Sequence, residues 1–185
     1  KEYRRQRQMC IRDRFDIVDL KDRRIGSASR QRVHHEGLFH RAVHILVMRG
    51  PDRWVLQQRS VTKDLDPFLW TSSCSGHVDA NESYLNAAVR ECREELGLVV
   101  KAKSLTEVFR ASPCLETGNE FIRVYLLKCH REIKFCREEI IQIKEFSIGE
   151  IKYSIKQMPE IYSLSFKHIF AFFSLVLQSH KSSLS

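Results

Sequence analysis

Glu91, Glu94 and Glu95 crowd into five residues of a chain whose formal charge is +8. Carboxylates this close repel one another, so the cluster costs stability unless a cation sits among them. At about 100° per residue they span an arc of roughly 100° on a helix, with Glu95 nearest the apolar side. Three oxygen donors on one edge of a packed helix suit a hard divalent ion. Mg²⁺ takes a few carboxylates and completes its shell with water and substrate phosphate. Such an ion polarises a phosphoryl oxygen, activates water and neutralises a leaving phosphate. A bare ExxEE also occurs as a solvated face neutralised by neighbours such as Arg90 and Arg93, so the surrounding residues must decide.

The helix that must carry these groups is legible. Leu85, Ala88, Val89, Cys92 and Leu96 recur at i, i+3, i+4, i+7 and i+11, forming one apolar stripe, and Gly97 follows as a C-terminal stop. Residues 15–30 read as a hairpin with a Lys-Asp turn, its second strand closed by Gly26. Residues 31–40 read as a helical turn or loop ending at Gly37. Strands are predicted at 41–50 and 54–60, joined by a Gly50-Pro51-Asp52 turn. Pro67 marks a loop before a short extended segment at 70–73. Further strands are predicted at 98–102, 105–111, 121–129 and 142–146, with a short helix over 148–152 and a last one over 159–177. The fold class is α/β, and a mixed sheet flanked by helices is the simplest packing.

At 185 residues the chain fits one domain, placed at 15–180, with 181–185 as a disordered tail. Residues 1–14 hold six Lys or Arg against two Asp or Glu, half of the net charge, and are set aside as a basic leader outside the fold. The remaining charge is too small to argue for nucleic acid. Six cysteines without CxxC pairing, and no secretion signal, read as reduced thiols of a cytoplasmic protein. The longest apolar run, 169–177, is too short for a bilayer and fits a buried helix, so no membrane partner is expected.

The stretch from Gly76 to Leu98 reads G-x5-E-x7-R-E-C-x-E-E-x-G-L, which resembles the signature of the Nudix hydrolases. Gly76, Glu82, Arg90, Glu91, Glu94, Glu95, Gly97 and Leu98 all match, and Cys92 stands where the family carries a bulkier aliphatic residue. The resemblance implies a loop–helix–loop on an α/β/α sandwich with a mixed sheet. It implies that the Gly76 carbonyl and Glu91, Glu94 and Glu95 hold Mg²⁺ (or Mn²⁺), with Glu91 also orienting or deprotonating water. Arg90 would lock the glutamates and Glu82 would tie loop to helix. A further carboxylate from a later loop has candidates in Glu138 and Glu139. Arg59 and Lys63 are candidate phosphate contacts, Trp70 is expected to anchor its loop, and the substrate is a small-molecule diphosphate. The exchangeable edge of the N-terminal hairpin makes a homodimer a candidate assembly.

The segments at 37–47 and 66–77 resemble type 1 isopentenyl-diphosphate isomerases, which share this fold but shift a double bond. That resemblance implies a divalent metal on histidines, and His34 (or His35), His40 and His77 fall near the matching places. Glu120 matches the isomerase glutamate. Three departures favour hydrolysis. Ser75 stands where the catalytic thiol should precede Gly-His, with Cys74 one residue early and facing the opposite side of an extended segment. Gly118 replaces a second glutamate, and the hydrolase signature is intact. A third reading is a catalytically idle ligand-binding module. His40 and His44, on or beside a strand, are expected to be packed and hydrogen-bonded.

Overall fold

The computed structural model describes residues 14–63 and 65–182, so most of the basic leader lies outside the described residues, as do 183–185. β1 (Arg14–Val18) and β2 (Arg24–Ser29) form the expected antiparallel hairpin. Arg14, set aside with the leader, opens its first strand opposite Ser29. A short helix α1 (Arg30–His35) follows, its first turn capped by the Ser29 hydroxyl.

The main sheet is built on β3 (His40–Met48). It pairs in parallel along its whole length with β8 (Glu120–Lys128), whose other edge takes β7 (Leu105–Ala111) antiparallel. The opposite edge of β3 is shared. β6 (Cys74–His77) runs antiparallel along residues 42–45, and β4 (Arg53–Arg59) meets only Val47 and Met48. The Gly50-Pro51-Asp52 turn therefore does not make a long hairpin. Beyond Val55 β4 diverges, and the edge it frees pairs with the short β5 (Trp70–Thr71), while its opposite edge pairs along its length with β9 (Ile140–Ser147). The parting of β3 from β4 makes room for β6.

Alternation along β3 sets the layers. Val43, Ile45 and Val47 face α2 (Tyr84–Glu94), packing with Ala87, Ala88, Cys92 and Leu96. Ala42 and Leu46 face the other side, where Trp54, Leu56 and Ile122 meet α3 (Ile148–Gln157) through Ile151 and α4 (Leu164–Ser182) through Phe166, Ile169 and Phe170. Each such fully buried side chain contributes about 1.5–3 kcal/mol. The result is an α/β/α sandwich with a mixed sheet.

The strand expected at 98–102 is absent. Gly97 takes a left-handed φ of 65°, and the Leu98 N–H bonds back to the Cys92 carbonyl. The Lys134 and Cys136 N–H groups then bond to the carbonyls of Leu96 and Glu95. The chain leaving the helix is thus held by the helix end, not by a sheet. The helices at both ends of the C-terminal region are also longer or shifted: α3 runs to Gln157, and a 3₁₀ turn at Pro159–Ile161 precedes α4.

Candidate active site

The helix edge that carries the three glutamates also faces the core. Glu91 and Glu95 are buried while Glu94 is exposed, because the buried face of α2 runs through Tyr84, Ala87 and Ala88 and leaves Leu85 and Val89 at its margin. Glu91 rests against Gly76, where a β-carbon would overlap its carboxylate. Gly76 is required for that approach.

Arg90 organises the cluster. Its Nε and Nη2 donate to the two oxygens of Glu82 at 3.0 and 2.8 Å, and Nη2 also donates to the His77 carbonyl at 2.9 Å. Its Nη1 donates to Glu91 and, at 3.3 Å, to Glu94. Glu82 in turn accepts from the Asp79 N–H at 3.1 Å, so it contacts both the loop and the helix. One guanidinium cannot neutralise so many carboxylates. Burial, and then the neighbouring Glu95, push Glu91 up to about 8. Burial likewise raises Glu95, against Lys63, the Gln57 amide and the Ser75 N–H. A pair of buried carboxylates destabilised in their charged form is what an added divalent cation relieves.

Across the same cleft stand His34 and His77, with the buried His40 beside them, and the candidate ligand atoms of the three imidazoles all lie within 4.8 Å of one another. The structure decides between the two adjacent candidates: His34 joins the group, and His35 is exposed. The Nδ1 of His40 lies 2.8 Å from the Leu38 carbonyl, which only accepts, so Nδ1 donates there and Nε2 faces Glu120 Oε1 at 3.5 Å. His34 Nε2 is buried without a hydrogen bond among the described residues. The Nδ1 of His77 faces the Arg30 guanidinium at 3.3 Å, which only donates, so its Nε2 proton points to Glu120 Oε1 at 2.9 Å. Ligation by His77 through Nε2 therefore requires that proton to move to Nδ1, at the expense of the Arg30 contact. Burial would raise the Glu120 carboxyl, but His40 and His77 hold it well below the usual range. Burial, then the adjacent imidazoles, lowers His34 to about 4. The donor set of neutral nitrogens and one carboxylate fits a borderline divalent ion.

Sequence reasoning missed Phe15. The hairpin lays its ring on His77 (centroids 4.5 Å apart, planes at 25°) and on His40 (5.7 Å, 6°). The hairpin is fixed there because Phe15 bridges Asp79 and the Ala80 N–H bonds to the Arg14 carbonyl at 2.9 Å. Only the alternation of the first strand pointed to a buried Phe15, and nothing local pointed to histidines 19 or more residues away.

Both clusters open on one cleft of about 750 Å³, with the cations Arg30, Arg59 and Lys63 on its walls. Lys63 lies 3.5 Å from Glu95 and pairs with Glu139. Glu139 thus reaches the cleft, whereas Glu138 is exposed and does not line it. Trp70 packs edge-on against Phe146, so it anchors its segment as expected. Cys74 is fully buried in the core on the α2 side, and Ser75 faces the cleft. Gly118 also lines the cleft, with open space where a side chain would project.

A family model described as the NUDIX domain matches residues 38–165. The isopentenyl-diphosphate Delta-isomerase 2 of Photorhabdus laumondii is 30% identical over 155 residues, 83% of this chain and 88% of that one. An uncharacterized Nudix hydrolase of Clostridium acetobutylicum is 30% identical over 147 residues, 74% of this chain and 71% of that one. A crystal structure of a Deinococcus radiodurans protein superposes with a TM-score of 0.73 at 23% identity, covering 85% of this chain and 97% of the other. That last likeness concerns the fold.

Proposed function

We propose that this chain, which belongs to the Nudix family, hydrolyses a diphosphate linkage by attack of water on phosphorus, with a divalent metal as cofactor. The observation that carries the reading is the buried pair Glu91 and Glu95 beside Gly76, with Glu94 on the same wall, Arg90 among them and Lys63 at 3.5 Å from Glu95. The Gly76 carbonyl and the three carboxylates would hold Mg²⁺ or Mn²⁺, which supplies Lewis acidity and a more acidic bound water.

The remaining work falls to the side chains. Arg90 keeps Glu91 and Glu94 facing the cleft. Lys63, Arg59 and Arg30 line it where the phosphates would lie and offset their charge. Water forms a new P–O bond, the anhydride P–O bond breaks, and Glu91 takes the water proton. Its place against Gly76 on the cleft wall supports that role. Substrate selection belongs to the rest of the cleft, because this chemistry handles only the diphosphate.

A second reading, double-bond isomerisation, is favoured by His34, His40, His77 and Glu120 meeting in the same cleft. Against it stand Cys74, turned into the core, and Gly118, which brings no carboxylate. A panel of dinucleoside polyphosphates, nucleotide sugars, NADH, coenzyme A and isopentenyl diphosphate with Mg²⁺ tests the choice. Phosphate-bond cleavage abolished by Glu94→Gln supports the hydrolase, dimethylallyl diphosphate as product overturns it, and binding without turnover favours an idle module.

A further inference from the structure

β3 points His40, Ala42 and His44 to one side of the sheet, and Ala42 and His44 form part of the cleft floor. At about 3.3 Å per residue β3 runs roughly 13 Å from His40 to His44. Between them the strand gives this floor only the Ala42 methyl, and His77 and Ser75 flank it on the neighbouring strand, so a group carried on a diphosphate would lie along His44. Thr71 and Ser163 line the cleft as well, their hydroxyls bonded to each other at 3.0 Å.

His44 is itself 4% exposed, and its Nδ1 lies 2.7 Å from the hydroxyl oxygen of Ser72. Ser72 is fully buried, and its hydroxyl has no other hydrogen bond among the described residues. A buried hydroxyl proton needs an acceptor, and among the described residues the only one bonded to it is Nδ1. The Ser72 O–H therefore donates to Nδ1, which places the proton of the neutral ring on Nε2. Burial keeps the ring neutral by lowering it to about 4. No hydrogen bond within the described protein uses Nε2, although the residue borders the cleft.

We infer that His44 presents an uncharged N–H to the cleft and reads a hydrogen-bond acceptor on the group attached to the diphosphate. The inference rests on the hydrolase reading above and deepens it. The substrate group would be oxygen- or nitrogen-bearing, such as a sugar or nucleoside, not a plain hydrocarbon. Ser72 is then a positioning residue, acting by fixing which ring nitrogen is protonated.

The test uses protein with ¹⁵N-labelled histidine, Mg²⁺, and three probes: ADP-ribose, UDP-glucose and isopentenyl diphosphate. Long-range ¹⁵N–¹H spectra are expected to show His44 protonated on Nε2. ADP-ribose or UDP-glucose should shift that nitrogen, and His44→Phe should weaken binding of the same probe about tenfold while changing isopentenyl diphosphate by less than twofold. Because His44→Phe can disturb packing, Ser72→Ala serves as the second variant. It keeps the ring, should populate the Nδ1-protonated form, and should weaken the same probe. An Nδ1-protonated ring in the unaltered protein overturns the inference, as does unchanged affinity of both variants for every probe that binds. If probes bind and are cleaved while His44 stays silent, this inference alone fails; if no probe binds, the diphosphate reading fails with it.

Discussion

The Glu91 carboxylate occupies the space beside Gly76 that any β-carbon would need. Glycine loop and acidic helix thus touch at the point where the metal is expected. Gly76→Ala should leave the fold intact, since the clash falls on the end of a movable side chain. The displaced carboxylate should weaken Mg²⁺ binding about 10- to 100-fold. Calorimetric titration of metal into both proteins measures this, and equal affinities would show that Glu91 is not a ligand.

Arg90 is the hub of the loop–helix contact, and a lysine cannot reproduce its fork onto Glu82. Arg90→Ala leaves Glu82 and Glu91 without their shared cation. It should cost about 2–3 kcal/mol, discounted from a fully buried pair because the arginine is partly exposed. For a domain of this size the melting temperature should fall by about 5–10 °C. Arg90→Lys should recover less than half of the loss in thermal unfolding.

The imidazole cluster gives a contrast between adjacent residues. His34→Gln should weaken Co²⁺ binding at least about tenfold, because it removes one donor from the group. His35→Gln, at an exposed position, should change nothing. The visible absorption of Co²⁺ reports both. Equal effects of the two substitutions would place the ion elsewhere.

Burial lowers the His44 imidazole from its usual 6.5 to about 4 in the folded state. A base depressed in this way contributes stability that is present above pH 6.5 and lost as pH falls toward 4. Denaturant unfolding between pH 7 and 4 should therefore lose up to one proton's worth of slope, about 1.4 kcal/mol per pH unit, that His44→Gln lacks. Parallel curves for the two proteins would contradict the burial of a neutral ring.

Local signals carried much of this architecture. The apolar stripe, Gly97 and the glutamate spacing define α2, and all three glutamates fall on the cleft side. The position of Glu95 on the apolar edge was legible because helical angle alone sets it. The burial of Glu91 was not, since it depends on its close approach to Gly76 of β6, 15 residues back along the chain. The partner of β4 was hidden for a related reason. A tight Gly50-Pro51-Asp52 turn suggests a long pairing with β3, yet that edge passes to β5 after Val55, and β9, more than 80 residues away, covers the opposite edge. The supposed strand at 98–102 shows the converse: β-branched and aliphatic residues favour extension, but hydrogen bonds to the helix end decide their use. His34, His40 and His77 could be listed from sequence, whereas the Phe15 ring that packs them came from a hairpin with no chemistry of its own.

Incubation with Mg²⁺ in H₂¹⁸O, followed by mass spectrometry of the products, tests the central claim most directly. For a diphosphate substrate that turns over, one atom of ¹⁸O should enter a phosphoryl group of one product, at a rate cut about 100-fold or more by Glu94→Gln. A rearranged diphosphate of unchanged mass on phosphorus, formed at the same rate by Glu94→Gln, would contradict it.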